Sequence, residues 1–468
     1  MKRALFNAAR DYFIRRSLKN QQKTGSQDLG LWGLSLNEKS HLAVNRVDTL
    51  DLLSTYGSPL LVVNRRKLLE DATSIQNAVK RCSQGSRVVY SYKTNCIPGI
   101  LKEIHGVGIG AEVVSPYELW LAEQLKVPGE EIVYNGVNKT EESLVRAIEL
   151  GVLSINVDCL PEIERIAAVA RRLKKKARVG IRLGFLDKTQ FGLEIESGEA
   201  MEACRRISRH SDCLELNTVH FCVASNVKDS WTHRHFAQKS LEFIHALKAQ
   251  VGTAIHHLDL GGGVGVPTSK NMDGVEYGLY RLFGSLPEPP DPAAFEDINT
   301  FVRSISGAVK ESCARLNLQT PALILEPGRF VTSRCEFLLS TVLTVKEKSR
   351  GPKFAITDAG RLSLTFPCDF EYHSVFPADQ GGRLKKELYH VMGRICTSAD
   401  WMVKNIYLPQ LREGDVLATM DAGAYFSSYS SNFAFPRPAI VMVYDNSDVE
   451  VIRQAESFEH LVALDKVK

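Results

Sequence analysis

Residues 88–136 read VVYSYKTNCIPGILKEIHGVGIGAEVVSPYELWLAEQLKVPGEEIVYNG. Three short β-branched runs lie in this stretch: VVYSYKTN (88–95), GIGAEVVS (108–115) and IVYNG (132–136). They are nearly continuous apolar sequence rather than strict alternation, as expected when both faces of a parallel strand are buried. Between the last two, SPYELWLAEQLK is apolar at helical spacing with a charged outer face. The rhythm continues through LSINVDC (153–159), VGIRLG (179–184), LNTVHFCVA (216–224), IHHLDLGGG (255–263) and ALILEPGR (322–329). LPEIERIAAVARRLKKK is among the helical patterns that separate these runs. Eight strand–helix units in about 260 residues fit a (β/α)8 barrel. An open doubly wound sheet is the structural rival.

After Arg329 the rhythm changes. CEFLLSTVLTVKEK, KFAITDA, LYHVMGR, DVLATMD and AIVMVYD are strand-like and separated by turns, the pattern of a mainly antiparallel β domain. SPLLVVNRRKLLEDA, near residue 58, reads as a strand that joins this domain before the barrel begins. The expected α/β chain therefore has an N-terminal extension (1–40), a piece of the β domain (41–65), the barrel (66–325) and the C-terminal β domain (326–468). SLPEPPDPAAFED (285–297) is expected to be an exposed loop.

A chain of 468 residues exceeds one compact core. Its 58 basic and 54 acidic residues are mixed along the sequence, and a formal charge of +4 makes no case for nucleic acid. The ten cysteines are scattered, with no Cys-x-x-Cys pair, which favours a reducing compartment; a cytoplasmic location is expected, and no metal. No run approaches the roughly 18 apolar residues that span a bilayer, so no membrane partner is expected. The N-terminal MKRALFNAARDYFIRRSLKNQQK is basic and amphipathic. It suits a targeting presequence or a membrane-surface helix, but better a solvated helix packed on the body.

In a (β/α)8 barrel the functional groups sit at the C-terminal ends of strands, and several ends here are chemically unusual. Lys93 closes the first; burial there would lower its pKa and free the amine for a Schiff base, although a structural lysine paired with a carboxylate is as common. The seventh ends in Gly261, Gly262 and Gly263, whose backbone N–H groups could close on an anion or merely form a tight turn. Glu326 and Arg329, after the eighth, could hold a pyridine nitrogen and a phosphate or carboxylate, or could pair with each other. In the β domain, Cys396 is either a buried small hydrophobe or a reactive thiol. Tyr425, beside Gly423, could bind a phosphate oxygen or cap a turn.

The order of these pieces is more telling than any one of them. A lysine in Y-x-Y-K-T-N, a histidine, a triple glycine, EPGR, C-x-S-x-D and D-x-G-A-Y follow one another from Lys93 to Tyr425. From about Leu60 to Tyr444 the chain resembles the ornithine/diaminopimelate/arginine decarboxylases, the fold-type III pyridoxal-5'-phosphate (PLP) enzymes. The resemblance implies an alanine-racemase-like barrel, PLP as cofactor, an amino acid as small-molecule substrate, and a homodimer with shared active sites. It implies that Lys93 is the Schiff-base lysine and Glu112 an acid beside it. Arg182 would support Glu326, the pyridinium partner, and Tyr425, Ser225, Gly261, Gly262, Gly263, Gly328 and Arg329 would surround the phosphate. Cys396, contributed by the opposite subunit, would protonate the carbanion after carbon dioxide leaves. Arg329, Glu371, Thr397 and Asp400 are the expected substrate contacts.

Departures from the family pattern point to specificity. Where H-x-H-x-G-S is usual, the chain has His220-Phe221-Cys222-Val223-Ala224-Ser225, so Cys222 replaces the histidine that stacks on the cofactor ring; a sulfur can still pack against a ring. Gln190-Phe191-Gly192 replaces K-F-G. Thr397 stands where diaminopimelate enzymes place Glu and ornithine enzymes Asp, and Phe366 falls where the former place an arginine; Glu371 could meet a cation instead. The resemblance thus implies a specialised decarboxylase, of siderophore or antibiotic biosynthesis or acting on an amino acid attached to a larger group. An amino-acid racemase on the same fold and a catalytically silent relative that pairs with a true decarboxylase are the alternatives.

Overall fold

The computed structural model describes residues 2–23, 28–185, 189–222, 225–349, 351–381 and 385–466. They form two compact units, Leu69–Gly265 with Ala294–Val331, and Met1–Leu68 with Val266–Ala293 and Thr332–Lys468. Among the described residues no helix is long and apolar enough to cross a membrane.

The first unit is a closed barrel of eight parallel strands: β1 (Arg87–Ser91), β2 (Gly110–Val113), β3 (Ile132–Tyr134), β4 (Ser154–Val157), β5 (Ala177–Gly184), β6 (Leu214–His220), β7 (His257–Asp259) and β8 (Ala322–Leu325). Each pairs with the next, and β8 closes on β1 through Ile324 and Arg87. Val89, Val133, Leu153 and Ile324 pack together inside it. Most strands stop short of the apolar runs that announce them, and the polar residues beyond lie in turns. The helix Pro116–Gln124 shows how such a turn is set: Pro116 opens it, Ser115 Oγ accepts from the Glu118 N–H at 3.2 Å, and the Glu118 carboxylate takes the Val114 N–H at 2.7 Å. This is a capping arrangement that satisfies otherwise orphaned donors.

The second unit is built on the fully buried strand Leu60–Asn64, antiparallel to Glu336–Leu339 and parallel to Ile440–Val443. Most other pairings are antiparallel, Lys353–Ile356 with Tyr389–Met392 being a parallel exception. Its core takes in Trp32, Leu34, Leu42 and Val44, and Trp32 Nε1 donates to Asp421 at 3.0 Å. Residues 29–40 are therefore part of this unit rather than an extension, because Trp32 and Leu34 bury apolar surface there.

Residues 266–293, expected in the barrel, also cluster with the β unit. Lys270-Asn271 pairs with Glu371-Tyr372, and the helix Gly274–Phe283, closed by a capping box at Asp273, buries Tyr280 edge-on to Trp401. The N-terminal helix Lys2–Lys23 packs on the same segment, with Phe13 stacked on Phe283 and Ser17 Oγ donating to Leu286 O at 2.7 Å. Leu286 is buried for that reason, so only part of 285–297 is exposed loop.

Candidate functional site

Four carboxyl groups, on Glu112, Glu118, Asp259 and Glu326, are buried at the C-terminal end of the barrel. Buried acids persist only when they are paired or hydrogen-bonded. Asn135, just after β3, is the hub: its amide donates to Glu112 Oε1 at 3.0 Å and to Glu326 Oε1 at 2.6 Å. Its own Oδ1 accepts from Asn156 Nδ2 at 2.8 Å. Ser91 Oγ, at the end of β1, donates to Glu112 Oε2 at 2.5 Å, and His220 Nε2 stands 3.5 Å from Glu326 Oε2.

Burial would raise the Glu326 pKa, but the His220 imidazole, the Lys93 charge and the Asp259 hydrogen bond outweigh it and hold Glu326 ionised. Asp259 goes the other way, driven far up by complete burial and by Glu326 beside it. Burial and Glu112 also push Glu118 up to about 7 against the pull of the Val114 N–H and Lys93. Lys93 thus acts electrostatically on both Glu118 and Glu326.

Lys93 lies in a single 3-10 turn, Tyr92–Thr94, just past β1. Its side chain is exposed while Tyr92 and Thr94 are buried; the expected burial of the lysine is not found, because its buried neighbours leave the amine at the open end. Tyr92 Oη donates to His105 Nε2 at 2.6 Å, and His105 Nδ1–H to Ile109 O at 2.8 Å, which pins the turn to the helix Pro98–Gly106. The EPGR segment lies against it: Ser91 N–H donates to Pro327 O at 3.2 Å, and a Cβ on Gly328 would come within 1.9 Å of Thr94 Oγ1. Arg329 is buried next to it and Ser225 is exposed.

The glycine turn after β7 has φ +64° at Gly261 and +95° at Gly263, a region costly for side chains. A Cβ on Gly261 would meet Phe221 O at 2.4 Å and Cys222 Cβ at 2.9 Å, so Cys222 borders this turn. A Cβ on Gly262 would meet Glu326 O at 2.6 Å. His233, buried on the helix Trp231–Val251, holds Gly262 O at 2.9 Å. Arg182 departs from the role expected of it: its Nη1 is 3.7 Å from Asp158 and its guanidinium lies over Phe191, 4.4 Å from the ring centroid. Of His220 and Arg182, it is His220 that stands beside Glu326.

In the β unit, Cys396 and Thr397 are exposed on a loop whose shape is set from beneath by Asp400. Asp400 Oδ1 accepts from the Leu362 N–H at 2.9 Å and Oδ2 from the Ile395 N–H at 3.0 Å. At 1% exposure it is an organiser of the loop rather than the substrate contact expected. Glu371 is likewise turned inward, 3% exposed, with Oε2 at 3.3 Å from His373 Nε2. Its carboxylate lies inside the β unit beside His373.

Tyr425 holds φ +71°, a strained conformation for a bulky residue and one that clusters at functional sites. Asp421 fastens this loop by accepting from Thr268 Oγ1 at 2.6 Å and Ser333 Oγ at 2.9 Å. Gly423 has no room for a Cβ, which would sit 1.7 Å from Thr332 O. Beside Tyr425 lies Tyr429, whose ring is 5.3 Å from Phe366; Phe370 is 5.9 Å from Phe366 in turn.

Asn135, Asp259, Glu118 and His233 escape a reading of the sequence for motifs. A polar residue at the very end of an apolar strand, as in IVYNG and LDLGGG, is the signal that could have found the first two. The residues present suit the cofactor that the sequence implies: a side-chain-free glycine turn for an anion, an ionised carboxylate nearby, and an accessible lysine on the adjoining turn.

Residues 66–333 match the family described as pyridoxal-dependent decarboxylase, pyridoxal binding domain. The diaminopimelate decarboxylase of Aquifex aeolicus is 29% identical over 436 residues, covering 90% of this chain and 94% of that protein. That of Methanothermobacter thermautotrophicus is 28% identical, covering 92% and 96%. Among solved structures, the Methanocaldococcus jannaschii diaminopimelate decarboxylase superposes with a TM-score of 0.83 at 27% identity, covering 94% of this chain and 99% of that one. Its co-complex with L-lysine gives 0.82 at 27% identity, covering 93% and 98%.

Proposed function

This chain belongs to the pyridoxal-dependent decarboxylase family, and from that premise we propose which of its residues carry the reaction and on what kind of substrate. It is a PLP-dependent enzyme that decarboxylates an amino acid. When bound, the cofactor supplies the sink for the electron pair left on Cα as carbon dioxide departs. Lys93 is its covalent anchor. The glycine turn 261–263, Ser225, Gly328, Arg329 and Tyr425 take its phosphate, and Glu326 keeps a proton on its ring nitrogen. Cys222 borders the turn where the family's stacking histidine would act, and His220 and Glu112 line the same end of the barrel. Cys396 of the partner subunit delivers a proton to Cα, and the shared site makes the working form a homodimer. All ten cysteines are free thiols, which suits a cytoplasmic setting.

The observation that carries this reading is the buried Glu326 carboxylate, held by the Asn135 amide and faced by His220, together with the exposed Lys93 turn at the same end of the barrel. Borohydride treatment of the PLP-loaded protein should trap the cofactor on Lys93, and the absorbance band near the visible edge should vanish in Lys93→Ala. Trapping on another lysine overturns the assignment.

For the substrate we infer an amino-acid head with an uncharged or larger distal part, because Phe366 lies in an aromatic cluster and Thr397 is neutral. A second reading, diaminopimelate itself, is favoured by the named relatives, which share 28–29% identity over nine-tenths of the chain. Carbon dioxide release from a panel of amino acids, including bulky acylated ones, separates the two.

A further inference from the structure

We infer that Asp259 is a positioning residue that couples the glycine turn to Glu326 through a single carboxylic acid group, accepting with one oxygen and donating with the other. This rests on the reading of the barrel end as the cofactor site. Asp259 is the last residue of β7 and is fully buried. Its Oδ1 accepts the Gly261 N–H at 3.0 Å. Donor and acceptor atoms of Asp259, Glu326 and His220 lie within 4.8 Å of one another. Two carboxylates so close in a dry interior cannot both be ionised, so the pair holds one proton.

The distribution of donors decides where that proton sits. Glu326 already receives the Asn135 amide on Oε1 and faces the His220 imidazole with Oε2. Among the described residues Asp259 Oδ2 receives no donor at all. The charge therefore belongs on Glu326 and the proton on Asp259, whose hydroxyl then donates to Glu326. Among the described residues, Glu112 on β2 also faces the pair and favours the protonated acid, and Lys93 favours the ionised Glu326. One side chain thus fixes the peptide that opens the phosphate turn and the carboxylate for the ring nitrogen, two ends of the same cofactor. When Asp259 loses its proton as the pH rises through its raised pKa, two like charges face each other and both ends shift.

The test compares Asp259→Asn with Asp259→Leu, both near in size, by equilibrium dialysis of PLP against pH, by the cofactor absorbance, by Tm and by kcat and KM. The asparagine keeps an acceptor for Gly261 and a donor for Glu326. It should hold PLP within about threefold of wild type, whereas leucine should weaken PLP about tenfold or more and lower kcat with KM little changed. Wild-type PLP affinity should also fall on the alkaline side, and that fall should be absent from Asp259→Asn. An asparagine variant as poor as leucine, a leucine variant that binds PLP like wild type, or an alkaline fall unchanged in asparagine overturns the coupling role. If leucine prevents folding, the pH comparison of asparagine with wild type decides alone. Borohydride trapping of each variant separates the two failures: trapping away from Lys93 overturns the site reading, while trapping on Lys93 leaves that reading standing whatever Asp259 does.

Discussion

On the proposed reading of the site, Phe366 and Thr397 set the terms on which a distal substrate charge would be received. Phe366 is packed against Phe370 and Tyr429, and Tyr429 against Tyr425, so an aromatic surface occupies the position of the arginine that the family resemblance calls for. A distal carboxylate brought against it would lose hydration without gaining a partner, at a cost of about 2–5 kcal/mol. Thr397 offers a hydroxyl to a distal ammonium where a carboxylate would be worth far more. Glu371, the remaining candidate for that ammonium, is buried with His373. Diaminopimelate should therefore be turned over poorly, and ornithine and lysine little better. The double substitution Phe366→Arg with Thr397→Glu should raise kcat/KM for diaminopimelate by about tenfold or more, since a site built to pair a charge discriminates strongly. Steady-state kinetics with the three amino acids checks this; efficient wild-type turnover of diaminopimelate would show that the aromatic surface does not exclude it.

Loops, rather than strands, carry most of what is particular to this chain. The loop 393–400 presents Cys396 only because Asp400 ties the Ile395 and Leu362 amides together, with Gly360 and Gly393 packed so closely on its carboxylate that a Cβ on either would fall within 2.4 Å of it. Asp400→Asn would aim an N–H at an N–H in a buried setting, which costs about 1–3 kcal/mol. The expected outcome is a lower Tm together with a kcat loss larger than any change in KM, because Cys396 is displaced while, of the proposed substrate contacts, Thr397 alone moves with it. A variant with lowered Tm and unchanged kcat would make Asp400 purely structural. The same contrast explains what is legible in the sequence. All eight barrel strands are foreshadowed by apolar runs, because burial of both faces leaves a compositional trace. The membership of 266–293 is not, since a capped helix and a two-residue strand read alike in either unit. Lys93 and Glu326 announce themselves as charges at strand ends. The inward turn of Glu371 and the backbone bonds of Asp400 depend on register and close packing, which period and composition do not encode. Arg182 belongs with them: its place on β5 is readable, but its choice of Asp158 over Glu326 is a matter of side-chain direction.

At the scale of the whole molecule, the two groups assigned to bond chemistry are carried by different compact units, Lys93 in the barrel and Cys396 in the β unit. The Cys396 thiol is exposed on its loop, available to a second copy of the chain. A twofold dimer presents the same surface from both chains, so each site would combine Lys93 of one with Cys396 of the other. Mixing inactive Lys93→Ala chains with inactive Cys396→Ala chains then builds a heterodimer with one doubly defective site and one intact site. Random pairing makes half the dimers mixed, and half of their sites intact, so activity should return to about a quarter of wild type. If each chain instead supplied both groups to its own site, every site in the mixture would lack one of them and no activity would return. Activity after mixing, with subunit exchange confirmed by differently tagged chains, therefore separates the two arrangements, and exchange without recovery would rule out the shared site.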